Sequence, residues 1–148
     1  LRSGGADGAD SAFERGCDRA GGAKEIYLPW KGFNRNPSPL FSIPERAVEI
    51  ASRYHPAWGT LTRGVRALHS RNVLQVLGAD CETPAAFILC WARVDPNGQT
   101  RGGTGQAVRI AEAMGIPVVN LAATPARTLK DLGPLLTEAL RPKPDPQR

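Results

Sequence analysis

The sequence predicts an α/β fold: an open, mostly parallel sheet with helices on both faces, arranged in three layers. Short apolar runs of strand length alternate with segments of helical periodicity, which is the pattern of βα units. One run, Ala85–Trp91, is continuously apolar, as in a strand covered on both faces of a parallel sheet, and is taken as the central strand. Two glycine-rich segments each lead straight into a helical pattern. The 148 residues suit one domain, expected over 1–140, with a Pro-rich mobile tail over 141–148.

The elements follow in order. In Ala6–Arg19, Ala9, Ala12, Phe13, Gly16 and Cys17 fall at helical spacing. Asp7 or Asp10 can cap that helix, and capping is the role expected of Asp10. Gly21-Gly22 stops it, and Lys24–Leu28 reads as a strand closed by Pro29. The stretch from Trp30 to Pro44, rich in Pro, Asn and Ser, must run as a surface loop. Pro44 suits a first helical turn, after which Ala47, Val48, Ile50 and Ala51 form an apolar stripe up to His55-Pro56. A second stripe, Val65, Leu68, Val73, Val76 and Leu77, predicts a helix from Thr62 to Gly78.

Beyond the central strand, Asp95-Pro96-Asn97-Gly98 is a turn signal. Gly102–Gly105 then opens a helix carrying Ala107, Val108, Ile110, Ala111 and Met114, closed by Gly115. Ile116–Leu121 is another buried strand, and Thr124–Leu140 a last helix that could break at Gly133-Pro134.

Composition narrows the function classes. The formal net charge is +5 and the isoelectric point about 9.6, which favours an anionic partner such as a nucleotide or nucleic acid. No apolar run has the length of a membrane helix and no leader pattern opens the chain, so a cytoplasmic protein with no membrane partner is expected. Three cysteines, Cys17, Cys81 and Cys90, without CxxC spacing, indicate neither a disulfide framework nor a zinc site. They are expected to be reduced and mostly packed. The chain starts at Leu1 with glycine-rich sequence almost at once, from which a missing upstream part is expected.

The sharpest chemical signal is Arg101-Gly-Gly-Thr-Gly-Gln106. Glycines let backbone approach a ligand closely, and the free N–H groups and dipole of a first helical turn favour a phosphate. Thr104 adds a hydroxyl. The competing reading is a loop that needs glycine only to turn. Gly4, Gly5, Ala6, Asp7 and Gly8 form a second segment of this kind, so two helix starts can face one crevice. Carboxylates repel a phosphate, so one of Asp7 and Asp10 is assigned to the cap and the other to a ribose hydroxyl. Neither segment ends in Gly-Lys-Ser/Thr, and no GxGxxG is present.

Among other candidates, Arg71 and Asn72, with His69, sit mid-helix, where Asn needs a reason. They could hold a phosphate and a base edge, or be ordinary polar residues. Trp30, Phe33 and Trp91 could stack on a base; Trp30 and Phe33 could equally anchor the long loop. No catalytic residue, metal site or cofactor is indicated.

Taken together, Ser3–Asp10 and Gly102–Ala111 followed by Gly115–Val118 resemble the two glycine-rich motifs of the SLOG superfamily, which joins DprA to the LOG nucleotide phosphoribohydrolases. Tyr27–Asn34 and His69–Asn72 resemble a short, phage-associated, DprA-like branch. The resemblance implies a Rossmann-like nucleotide-binding domain, here lacking the usual first strand. It implies binding of a nucleotide, a nucleotide-derived signal or another phosphorylated small molecule, with a homodimer or higher homo-oligomer as the expected assembly. In LOG enzymes the second motif supplies a catalytic Glu. Its place is taken here by Arg109, its Pro by Arg101 and its Thr by Gln106. A guanidinium cannot do a carboxylate's work in glycosidic cleavage, so catalysis of that type is not expected. Two alternatives follow from the same resemblance. One is N-glycosidic hydrolysis using Asp7, Asp10 or Glu112. The other is single-stranded DNA binding, which the net charge permits but sparse aromatics disfavour.

Overall fold

The computed structural model describes residues 1–123 and 129–141. Along the chain run β1 (Arg2–Ser3), α1 (Ala9–Arg19), β2 (Glu25–Ile26), α2 (Glu45–Arg53), α3 (Arg63–Leu77), β3 (Ile88–Cys90), α4 (Gly102–Ala113), β4 (Val118–Asn120) and α5 (Leu129–Ala139). The protein is therefore a mixed α/β chain of short parallel strands and several helices. Among the described residues no helix is long and apolar enough to cross a membrane.

α3 is the interior element. Thr62 caps it by accepting from the Val65 N–H at 3.4 Å, and Gly78 ends it at φ +80°, a conformation that favours glycine. Between those ends, every residue from His69 to Leu74 is buried, as are Val76 and Leu77. Polar side chains inside such a helix must find partners, and this puts His69, Arg71 and Asn72 to structural use. α2 and α4 pack against α3 through small or branched side chains. Ala47 and Ala51 meet Val73, Leu74 and Leu77 in a core completed by Tyr27, Ile110, Ala111 and Ile116.

The strands depart from a single continuous sheet. β1 pairs in parallel with β2 (Arg2 opposite Glu25, Ser3 opposite Ile26), and β3 pairs in parallel with β4 (Ile88 opposite Val118, Cys90 opposite Asn120). Among the described residues no strand joins the two pairs. The expected central strand is consequently short and bonded along one edge. Ile88 and Leu89 are only half-buried and Trp91 is 64% exposed.

The loop expected over Trp30–Pro44 is tied down. Ser38 Oγ donates to the Ile26 carbonyl at 2.6 Å and the Leu28 N–H to the Leu40 carbonyl at 2.8 Å. A 3₁₀ turn at Phe33–Arg35 holds Asn34 and Arg35 at φ 49° and 59°. α5 continues through Gly133 and Pro134, so the break expected there does not occur. The helix start expected at 124–128 and all of the tail after Arg141 lie outside the described residues. The cysteines are free, Cys81 and Cys90 buried and Cys17 half-buried; burial pushes the Cys81 and Cys90 thiols above their ordinary range.

Candidate functional site

Both glycine-rich loops open onto one cavity of about 1110 Å³. Ala6, Asp7 and Asp10 line it from the first loop, Gly103 and Thr104 from the second, and Arg71 and Asn72 from α3. Adjacent side chains of α3 bridge the loops. Arg71 reaches Asp10, at 3.5 Å from Nη1 to Oδ2, while Asn72 Nδ2 donates to the Gly103 carbonyl at 3.1 Å.

The first loop is closed from within. Asp10 Oδ2 accepts hydrogen bonds from the backbone N–H groups of Gly4 (3.1 Å) and Ala6 (3.2 Å). The carboxylate thus sits where an external anion would sit. This corrects the expected cap: the residue before α1 is Gly8, and no side chain caps that helix. Gly4 leaves room for the Arg71 guanidinium, on which a Cβ there would fall unless Arg71 moved. Gly5, at φ +64°, packs on Leu28 and Ile26 and does not line the cavity.

The second loop is open. A small hairpin bridging Val94 and Thr100 carries the chain from β3 to α4, with Asp95 Oδ1 accepting from the N–H groups of Asn97 and Gln99, both at 2.9 Å. Arg101 precedes the helix and its own N–H bonds to the Arg93 carbonyl at 2.9 Å. Among the described residues no side chain caps α4, and no acidic residue lies in its first turn; the N–H groups of Gly102, Gly103 and Thr104, like those of any first helical turn, have no helical acceptor. Gly105 is buried against the Thr100 carbonyl, where a Cβ would collide.

Arg71 is the principal charge beneath both loops. It is 5% exposed, donates to Gln75 Oε1 at 2.9 Å and lies over the Phe33 ring at 5.9 Å. Its Nε has no partner among the described residues, and neither does the hydroxyl of buried Ser3, which also lines the cavity. Burial draws the guanidinium below its ordinary value, and the nearby Asp10 opposes that effect. It stays charged in water of any ordinary pH.

Some expected site residues are engaged elsewhere. Gln106 is fully buried. Its Nε2 donates to the Ala51 carbonyl at 3.0 Å and its Oε1 faces His69 Nδ1 at 2.9 Å. Arg109 donates from Nε to the Tyr54 carbonyl at 3.0 Å. Phe33 packs edge-on against Trp30 with centroids 5.1 Å apart, and neither lines the cavity; Trp91 does. Sequence reasoning missed Ser3 and the return of Asp10 onto its own loop. The only signal for the latter is a carboxylate at the start of a helix that follows a glycine-rich turn, which reads equally well as a cap.

No family model, curated protein or solved structure matches the chain.

Proposed function

We propose that the chain is a binding protein of SLOG type for a nucleotide or a nucleotide-derived phosphorylated molecule, without LOG-type hydrolysis. We infer with it a three-layer, Rossmann-like arrangement of the sheet and helices. The observation that carries the reading is that the uncapped start of α4 and the buried Arg71 line the same cavity, Arg71 with an unpartnered Nε. A phosphate at Gly103 and Thr104 accepts from backbone N–H groups and the Thr104 hydroxyl. Asp7, exposed at the rim, suits a ribose hydroxyl, and the exposed Trp91 offers a face for a base.

Of the three carboxylates that hydrolysis could use, Glu112 does not line the cavity and Asp7 is exposed at its rim. Arg109 stands at the position of the LOG glutamate and is bonded to Tyr54, while Asp10 is held by two amides of its own loop.

Isothermal titration with mono-, di- and cyclic nucleotides and ADP-ribose derivatives tests the proposal. At least one should bind with saturable heat, and Trp91→Ala should weaken it. No heat at about millimolar ligand, where free energies of binding fall near 4 kcal/mol, overturns it. Release of free base in a chromatographic assay would overturn the non-catalytic part alone.

A further inference from the structure

We propose that the phosphate site at the start of α4 is coupled to His69: an anion bound there draws a proton from water onto the buried imidazole, so the ligand is held more tightly in mildly acidic solution. The inference deepens the binding reading above and rests on it.

The geometry sets the imidazole beneath the site. His69 and Asn72 stand three residues apart on α3, so their side chains are neighbours on one face, about 5–6 Å apart at Cβ. Both line the cavity, together with Gly103 and Thr104 of α4. Gln106 Oε1 lies 2.9 Å from His69 Nδ1 and 3.4 Å from Asn72 Nδ2, and the same Asn72 Nδ2 donates to the Gly103 carbonyl at 3.1 Å. A short polar path thus runs from His69 through Gln106 and Asn72 to the residue whose N–H meets the phosphate.

Those bonds also fix where a proton can go. Gln106 Nε2 donates to the Ala51 carbonyl at 3.0 Å, which turns Oε1 toward His69 and calls for a proton on Nδ1. The neutral ring then keeps its lone pair on Nε2. A proton added there makes an imidazolium without breaking the bond to Gln106.

The surroundings decide when that proton is held. His69 is 8% exposed. From the segment between α2 and α3 the His55 ring approaches to 4.4 Å, its Nδ1 accepting from the Ala57 N–H at 3.2 Å. α4 contributes Arg109, and α3 itself contributes Arg71 and, one turn before His69, Arg66, which lies over the Trp58 ring at 5.7 Å. The carboxylates of the cavity are engaged or distant: Asp10 is held by the Gly4 and Ala6 amides and by Arg71, Glu25 pairs with Arg2, and Asp7 stands exposed at the rim. Burial foremost, then His55, Arg109 and Arg71, holds the imidazole below its ordinary range against the opposing bond from Gln106. A bound phosphate brings the negative charge that this cluster lacks. In a partly desolvated site its attraction for an imidazolium exceeds thermal energy. By reciprocity, an anion that raises the proton affinity of His69 is itself bound more tightly once the proton is there.

Sulfate is the probe that tests this, because its charge stays fixed where phosphate itself takes up a proton, at about pH 6. The chain has two histidines, so NMR gives two ring Cε1–H signals, assigned with His55→Gln. In the native chain the His69 signal should titrate at higher pH with saturating sulfate than without, and should move further than the His55 signal. By calorimetry sulfate should bind about fivefold more tightly at pH 5.5 than at pH 7.5, in the native chain and in His55→Gln, with no such gain in His69→Gln. The NMR arm needs no change at His69 and stands even if that variant fails to fold. A His69 midpoint that stays in place while sulfate binds overturns the coupling and leaves the phosphate site standing. A gain lost in His55→Gln but kept in His69→Gln moves the proton to His55 and overturns it too. If sulfate binds at neither pH, the phosphate site falls and the coupling with it.

Discussion

Gly4 and Gly105 stand in the two glycine-rich loops, both buried, yet their neighbours differ in kind. Gly4 makes room for the end of a side chain, the Arg71 guanidinium, whereas Gly105 makes room for backbone, the Thr100 carbonyl. The first loop turns its amides onto Asp10 and is satisfied by the protein itself. The second turns them outward from the start of α4. Glycine content is therefore no measure of ligand binding. What matters is whether an internal acceptor reaches the amides first.

Alanine at each position separates the two cases most strongly. Gly105→Ala places a methyl against a carbonyl that the hairpin holds fixed, and should destabilise the fold by about 3 kcal/mol in urea denaturation. Gly4→Ala should cost less, about 1–2 kcal/mol, because Arg71 can swing aside. Equal losses would show that both loops are held equally rigidly.

Arg71→Met comes next. The aliphatic chain is kept, but Asp10 loses its cation and Phe33 its guanidinium neighbour. Because the Asp10 side chain is partly exposed, the expected loss is about 2 kcal/mol, below that of a fully buried pair. Nucleotide or phosphate binding should disappear with it. A variant that binds as before would remove Arg71 from the site.

These contrasts also mark how far the residues could be read in sequence. The helices were legible because periodicity reports one apolar face, and α3 and α4 fall where Val65–Leu77 and Ala107–Met114 put them. The strand run Ala85–Trp91 reads as a doubly covered strand, whereas only three of its residues pair, along one edge with β4, and among the described residues no strand lies on the other edge. Local pattern carries no information about a missing edge. Asp10 and Gln106 were misread for a related reason. Their partners, the Gly4 and Ala6 amides and the Ala51 carbonyl, are fixed by tertiary folding, and a polar residue beside a glycine-rich loop looks the same whether it faces in or out.

Asp10→Asn probes the closed loop more gently. An amide oxygen can still accept from Gly4 and Ala6, so the loop should keep its shape, with charge-assisted bonds exchanged for neutral ones at about 1 kcal/mol. Removing the negative charge beside Arg71 should strengthen binding of inorganic phosphate, measured by calorimetry. Weaker phosphate binding would mean that Asp10 organises the site rather than competing for it.

The smallest effect concerns the polar hub beneath the open loop. Gln106 Nε2 donates to Ala51, which leaves Oε1 to accept, so His69 carries its proton on Nδ1. Burial, the largest influence, lowers the His69 pKa below its ordinary 6.5 despite the opposing bond from Gln106. The unfolded chain then takes up a proton before the folded one does. The stability His69 contributes is complete above about pH 6.5 and declines as the pH falls toward the folded value. Urea midpoints measured downward from pH 6.5 to about 5.5, before carboxylates titrate, should fall in the native chain. His69→Gln can still donate to Gln106, and should flatten that slope. An unchanged slope would place the titrating group elsewhere and leave the hub beneath α4 indifferent to pH.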